Sequence, residues 1–138
     1  MAAFLLDTGI LILHLRDRPG YHRLLQDLNR TGDVYISAFT CVEILRGMRE
    51  HERERTYLLL ASLTTVPIDR SVADRAGEWL RAWQSRGIIL AGPDAVIAAS
   101  AVEVGAALVT TNPKHFPMAE LFVLAADAEA RLTPYSRP

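Results

Sequence analysis

Short apolar runs alternate with longer amphipathic stretches along most of the chain. The short runs are typical of buried strands, and the longer stretches repeat their apolar positions at helical spacing. The strands are predicted at residues 3–6, 34–36, 65–67, 107–109 and 121–124. The helices are predicted at residues 10–15, 19–29, 37–48, 50–63, 72–83 and 95–104. Strands that alternate with helices indicate an α/β fold, with a parallel sheet covered on both faces.

The remaining segments and the chain length complete this picture. Residues 31–33, Thr-Gly-Asp, are predicted to form a turn. Residues from about 125 onward show no clear period and are interpreted as a flexible tail. A length of 138 residues fits one domain, residues 1–138, and a hydrophobic content of 50% supports a core without disulfides.

Composition excludes several classes of protein. A single cysteine, Cys41, rules out an internal disulfide and a cysteine-rich zinc site. No apolar run approaches the ~20 residues of a membrane-spanning helix, and Asp7 follows the first residues too closely for a signal peptide. The prediction is a cytoplasmic protein. A net charge of −1 means that any binding of nucleic acid depends on local charge.

Three acidic residues lie where a parallel sheet places its functional site, beyond the carboxyl ends of the strands. Asp7 directly follows the first strand, Glu43 lies in the helix after the second, and Asp94 begins a helix of small apolar residues. Each has a structural explanation when taken alone. Asp7 and Asp94 suit helix N-caps, and Glu43 suits a solvated position or an ion pair along its helix.

Taken together, the three carboxylates point to a metal. Strand ends converge in such a sheet, and carboxylates brought close repel one another unless a cation is present. Their oxygens suit Mg²⁺ or Mn²⁺. The four histidines show no metal-ligand spacing, and each is interpreted as a surface or packing residue. A metal of this kind activates water against a phosphate, so the predicted chemistry is hydrolysis of a phosphodiester.

The chain resembles the PIN-domain family, and most closely its toxin ribonucleases of bacterial toxin–antitoxin pairs. The resemblance runs from about residue 3 to residue 124. Any one motif is weak, but four motifs in the family order are a strong signal. They are LLDT at residues 5–8, SAFTCVEILRG at 37–47, PDAVIAA at 93–99 and LVTTNPKHF at 108–116.

The resemblance implies a three-layer α/β/α sandwich around a short parallel sheet. It also implies an endoribonuclease that depends on Mg²⁺ or Mn²⁺. The implied partners are RNA and a small antitoxin that neutralises the enzyme, with a homodimer inside a toxin–antitoxin hetero-oligomer and no membrane. The metal-binding aspartates match Asp7 and Asp94, and the acid between them matches Glu43. Supporting hydroxyl groups are assigned to Thr8, Ser37 and Thr40.

One position departs from the family pattern. Many members carry a fourth acid in the last motif, where this chain has Asn112, whose amide offers an oxygen and a donor but no charge. Asn112 is therefore interpreted either as a residue that positions water or substrate in catalysis, or as a turn residue before Pro113. Arg46 and Arg16 are candidate RNA contacts, because a guanidinium binds phosphate with two parallel hydrogen bonds. The alternative function is a non-catalytic module of the same fold that binds RNA or protein.

Overall fold

A computed structural model describes residues 2–137 of the chain. The strands are β1 (Ala2–Leu6), β2 (Gly32–Ser37), β3 (Thr64–Val66), β4 (Ala107–Thr110), β5 (Val123–Ala126) and β6 (Leu132–Pro134). The helices are α1 (Thr8–Leu15), α2 (Tyr21–Thr31), α3 (Ala38–Gly47), α4 (Arg53–Ala61), α5 (Arg70–Ser85) and α6 (Gly92–Glu103). Two short 3₁₀ turns, Glu50–Glu52 and Pro113–His115, precede α4 and follow β4.

The six strands form one sheet in the order β3-β2-β1-β4-β5-β6. The first five strands are parallel, and β6 pairs antiparallel with β5 at one edge. The predicted α/β sandwich is confirmed, and the antiparallel edge strand is an addition to it. β1 lies in the interior of the sheet between β2 and β4, so its carboxyl end opens at the middle of one sheet edge.

The core has two halves, one on each face of the sheet, because successive strand residues point to opposite faces. Leu5 packs with α5 and α6 on one face, and Leu6 packs with α1 and α2 on the other. Both leucines are fully buried, which stabilises the fold by roughly 1.5–3 kcal/mol per side chain. No helix in residues 2–137 has both the length and the apolar character needed to cross a bilayer.

The predicted turn at residues 31–33 is wrong. β2 begins at Gly32, which pairs with Ala2 in the parallel register with β1. A side chain at Gly32 would collide with the backbone of Ala2, so glycine serves here for a close approach of two strands and not for a turn. The predicted helix over residues 50–63 is also modified, since a 3₁₀ turn takes its first residues and α4 ends at Ala61.

The sequence pattern had indicated a flexible tail from about residue 125, but this segment contains regular structure. β5 covers Val123–Ala126 instead of residues 121–124, and β6 follows it. Tyr135 donates its backbone N–H to the carbonyl of Val123 at 2.9 Å, and the Arg137 guanidinium donates to the Leu121 carbonyl at 2.7 Å. Three residues of an edge strand are too few for an alternating pattern to show in the sequence.

Candidate active site

Asp7 directly follows β1 and is the N-cap residue of α1. Its backbone is extended, with φ −65° and ψ 154°, and its Oδ1 accepts the Thr8 N–H at 2.9 Å. Its Oδ2 accepts the hydroxyl of Thr110, at the end of neighbouring β4, at 2.7 Å. The side chain is buried, with Asp7 only 9% exposed. Asp7 is therefore a helix cap, and it is also a carboxylate held rigidly at the middle of the sheet edge.

Glu43 projects from α3 toward the same place. Its Oε1 accepts the Thr8 hydroxyl at 2.6 Å, and the Thr8 and Thr40 hydroxyl oxygens lie 3.0 Å apart. Since the one hydroxyl proton of Thr8 goes to Glu43, Thr40 is the donor to Thr8. Thr8 and Thr40 thus form a chain of hydrogen bonds that orients Glu43. Both threonines, to which supporting hydroxyl groups were assigned from the sequence, therefore lie beside Glu43.

Asp94 lies in the first turn of α6 and is not its cap. The N-cap position belongs to Ala91, which makes no side-chain cap. The positive end of the helix dipole favours a carboxylate in this turn. Asp94 Oδ2 lies 3.5 Å from Nδ1 of His115, and the Asp94 side chain is 22% exposed.

The pKa values show that these carboxylates influence one another. Burial raises the pKa of Asp7, hydrogen bonds from Thr110 and Thr8 oppose the rise, and the charge of Glu43 adds to it. Burial also raises the pKa of Asp94, followed by the charge of Asp7, while His115 opposes the rise and Glu43 adds to it. Negative charge is therefore costly at this edge of the sheet, and a bound cation would relieve that cost.

The donor chemistry fits a hard divalent cation, although the side chains do not form a closed cage. Within residues 2–137, no three His, Cys, Asp or Glu side chains are arranged to hold a metal directly. Mg²⁺ is usually bound by one or two carboxylates and retains several waters, so it does not need such a cage. Asp7 and Asp94, with Glu43 beside them, supply carboxylate oxygens of this kind.

The other two predicted polar residues, Ser37 and Asn112, make no direct hydrogen bond to the three carboxylates among residues 2–137. Ser37 caps α3 by accepting the Phe39 N–H at 3.2 Å, and it accepts the Ser100 hydroxyl at 3.1 Å. It therefore joins α3 to α6, the two helices that carry Glu43 and Asp94. Asn112 is exposed. Its backbone N–H donates to the Thr110 hydroxyl at 3.0 Å, and its side chain lies 3.4 Å from Thr111.

Two residues near the carboxylates were not assigned a role from the sequence. Thr110 donates to Asp7 although the two are far apart in the chain, because β1 and β4 are neighbours in the sheet. The signal for Thr110 was its place at a predicted strand exit. His115 had been interpreted as a surface or packing residue, and it does lie at the surface. Its side chain is 59% exposed, but the 3₁₀ turn brings it to Asp94.

The two candidate arginines differ in position. Arg16, at the C-cap of α1, lines a cavity of about 90 Å³ that Glu43 also lines. Arg46 is exposed in the last turn of α3 and does not line this cavity. The two arginines therefore have different access to the carboxylates.

Comparisons with known proteins were made at the level of sequence and of structure. A family model described as the PIN domain matches residues 4–120. Ribonuclease VapC10 from Mycobacterium tuberculosis is 34% identical over 116 residues, which cover 84% of this chain and 87% of the relative.

Two solved structures share the fold. One is a VapBC2 structure from Rickettsia felis bound to a promoter DNA fragment, with a TM-score of 0.78 and 23% identity over 91% of this chain and 99% of the other. The second is a toxin–antitoxin complex from Klebsiella pneumoniae, with a TM-score of 0.68 and 26% identity over 88% of this chain and 95% of the other.

Proposed function

Because the chain belongs to the PIN-domain family, we propose that it is an endoribonuclease that hydrolyses RNA phosphodiester bonds and is neutralised by a small antitoxin. The observation that carries the proposal is the set of carboxylates at the end of β1, with Asp7 and Asp94 at raised pKa and Glu43 beside them. Carboxylates placed together in this way destabilise the fold, so stability does not explain them. Carboxylates with shifted pKa values concentrate at functional sites. A similar protein carrying the name ribonuclease supports the reaction class.

Asp7 and Asp94 would hold Mg²⁺ or Mn²⁺, with Glu43 as the third acidic partner. When bound, the ion polarises a phosphoryl oxygen and lowers the pKa of water. Thr110 and the Thr8 N–H fix both oxygens of Asp7, which keeps that carboxylate in one orientation. Glu43, oriented through Oε1 by Thr8, accepts the proton of the attacking water. The exposed amide of Asn112 donates a hydrogen bond to the substrate.

The proposed partners follow the same relatives. The Klebsiella pneumoniae structure is a toxin–antitoxin complex and the Rickettsia felis structure is a VapBC2 structure, which supports a VapB-like antitoxin for this chain. A homodimer within the hetero-oligomer is part of the proposal. We treat residues 1–138 as one PIN-like domain acting in the cytoplasm. One continuous sheet of six strands supports the single domain.

The first experiment measures RNA cleavage by the purified chain. Transfer RNA and ribosomal RNA are incubated with Mg²⁺ or Mn²⁺, with and without EDTA. The matched variants are Asp94→Asn and Asp74→Asn, since Asp74 is exposed on α5 and pairs with Arg70 at 2.7 Å. Cleavage is expected in the parent and in Asp74→Asn, and it should disappear with EDTA or in Asp94→Asn. Equal cleavage with and without EDTA would contradict the metal mechanism.

The second experiment tests the toxin role and separates it from a non-catalytic module of this fold. Expression of the parent is expected to arrest growth, Asp94→Asn is expected to be harmless, and co-expression of the antitoxin should restore growth. If a folded parent is harmless while it still binds RNA tightly, the alternative of a binding module gains support. If Asp94→Asn arrests growth as strongly as the parent, the arrest does not come from cleavage.

A further inference from the structure

A second cavity adjoins the one that contains Glu43. It has a volume of about 550 Å³ and lies between the end of α1 and the segment that connects α3 to α4. We call it the basic groove. Its lining residues are Leu15, Arg16, Gly47, Arg49, His51, Glu52 and Arg55. Leu15, Arg16, Gly47 and Glu52 also line the cavity that contains Glu43. The basic groove is therefore continuous with the cavity that Glu43 lines.

The charge of the basic groove suits a polyanion. Three guanidinium groups and one histidine face a single carboxylate, Glu52, within its lining. The excess of cationic side chains contrasts with the overall net charge of −1. Local positive charge beside an acidic site is what a chain of low net charge needs in order to attract RNA.

The three arginines of the basic groove are not equally available. Arg55 donates to Asp17 at 2.8 Å and so joins α4 to the loop after α1. Arg49 lies 3.9 Å from Glu52. Among residues 2–137, Arg16 takes part in no ion pair, and its backbone is fixed because its N–H donates to the Ile12 carbonyl at 3.0 Å. The Arg16 guanidinium is thus available to a ligand, its backbone is held by α1, and the residue lines both cavities.

From this arrangement we propose that the RNA strand adjoining the scissile bond lies in the basic groove, with Arg16 binding the phosphate nearest the carboxylates. The proposal deepens the proposed function and rests on it. A guanidinium matches a phosphate with two parallel hydrogen bonds. Leu15 is the one large apolar side chain of the lining, and an amphipathic helix would need a row of apolar anchors there. The groove therefore favours a phosphate backbone over a peptide.

The test compares Arg16→Ala with Arg81→Ala, an exposed arginine of α5 on the opposite face of the sheet. Arg16→Ala should raise KM about tenfold or more, the effect of losing a charge-assisted hydrogen bond, with kcat nearly unchanged. Its salt dependence should also weaken by about 0.7 in the slope of log K against log salt for a single strand. The KM of Arg16→Lys should fall between those of the parent and Arg16→Ala, because lysine keeps the charge but cannot make two parallel hydrogen bonds. Arg81→Ala should match the parent.

Binding of a single-stranded RNA to the Asp94→Asn chain, measured by fluorescence anisotropy, separates the two proposals. If the parent fails to cleave but binding still depends on Arg16, the groove stands and the nuclease proposal fails. If the parent cleaves and Arg16→Ala behaves like Arg81→Ala, the groove is wrong. A loss of binding in Arg46→Ala with none in Arg16→Ala would also overturn it. So would displacement of the RNA by a polyglutamate peptide at equal concentration, because the site would then lack preference for phosphate.

Discussion

Asp7 and Asp127 occupy equivalent places in the sheet and behave in opposite ways. Each directly follows a parallel strand, Asp7 after β1 and Asp127 after β5, and each accepts backbone N–H groups. Asp127 accepts the N–H groups of Glu129 and Arg131 at 2.9 Å, and these bonds, the one from Arg131 foremost, lower its pKa. The pKa of Asp7 is raised, chiefly by burial.

The difference comes from the neighbours of each carboxylate. Asp127 is exposed and lies 3.4 Å from the Arg131 guanidinium, so its negative charge is stabilised. Its hydrogen bonds to the backbone shape a turn. Asp7 is buried and feels the charge of Glu43. A carboxylate at the end of a parallel strand is therefore not enough to identify a functional site. Burial and the nearby Glu43 make the negative charge of Asp7 costly, so that a bound cation would stabilise it. Asp127 has neither feature, and its carboxylate serves to shape a turn.

Cleavage should give the largest contrast. Asp7→Asn is expected to reduce the RNA cleavage rate by about 10²-fold or more, because it removes a carboxylate that would hold the ion, and even outer partners of metal ligands are worth about 10- to 100-fold. Asp127→Asn should leave the rate unchanged, since it alters a turn. Initial rates at saturating Mg²⁺ measure both. A similar loss in the two variants would mean that Asp7 acts through folding alone.

Removing the hydroxyl that supports Asp7 should have the next largest effect. Thr110→Val leaves Oδ2 of a buried carboxylate without its donor, at a cost of roughly 1–3 kcal/mol in the free energy of unfolding. It should also raise the pKa of Asp7 further. Thr133→Val, at an exposed position of β6, is the control. Urea unfolding at neutral pH measures the difference, and equal midpoints for the two variants would show that the hydrogen bond contributes nothing.

The stability of the two Asn variants should differ in sign without metal. Asp7→Asn removes the desolvation cost of a buried charge and the smaller repulsion from Glu43, and Asn keeps much of the capping ability. Its melting temperature should stay level or rise, whereas that of Asp127→Asn should fall. Mg²⁺ should raise the melting temperature of the parent and of Asp127→Asn, but not of Asp7→Asn. A clear loss of stability in Asp7→Asn with an unchanged Mg²⁺ response would identify Asp7 as a cap only.

The smallest expected effect is in pH dependence. The folded-state pKa of Asp7 lies above its ordinary 3.8, so the folded chain takes up this proton before the unfolded chain does. The cost of its charge is present at neutral pH and is relieved as the pH falls through the raised pKa toward 3.8. The gap in unfolding free energy between Asp7→Asn and the parent should therefore shrink on acidification.

Asp127 provides the control for this titration. Its pKa lies below the ordinary 3.8, so its contribution to stability is fully present above 3.8 and is lost only as the pH falls through the lower value. The gap between Asp127→Asn and the parent should stay constant from neutral pH to about pH 4. Urea unfolding of the three chains across that range tests both. A gap for Asp7→Asn that does not change with pH would contradict the raised pKa.

The sequence predicts most of the sheet, because β1 and β4 are apolar runs whose burial leaves a readable pattern. It also places Asp7 directly after β1 and Glu43 in the helix after β2, and the topology of a parallel sheet brings these two positions together. Asp94 was expected at such a place too, but α6 follows α5 and not a strand, so its approach to the other two comes from the packing of that helix. What it does not give is pairing between distant segments. The bond from Thr110 to Asp7 depends on β4 lying beside β1, and the approach of His115 to Asp94 depends on the path of a 3₁₀ turn.

The antiparallel strand β6 has a consequence for solubility. A sheet that ended at β5 would present a row of unpaired backbone groups to other chains, which is a template for aggregation. β6 covers that row, and its own outer side is a poor template, because it spans three residues and Pro134 has no N–H to donate. β6 thus protects this edge of the sheet from pairing with a strand of another chain.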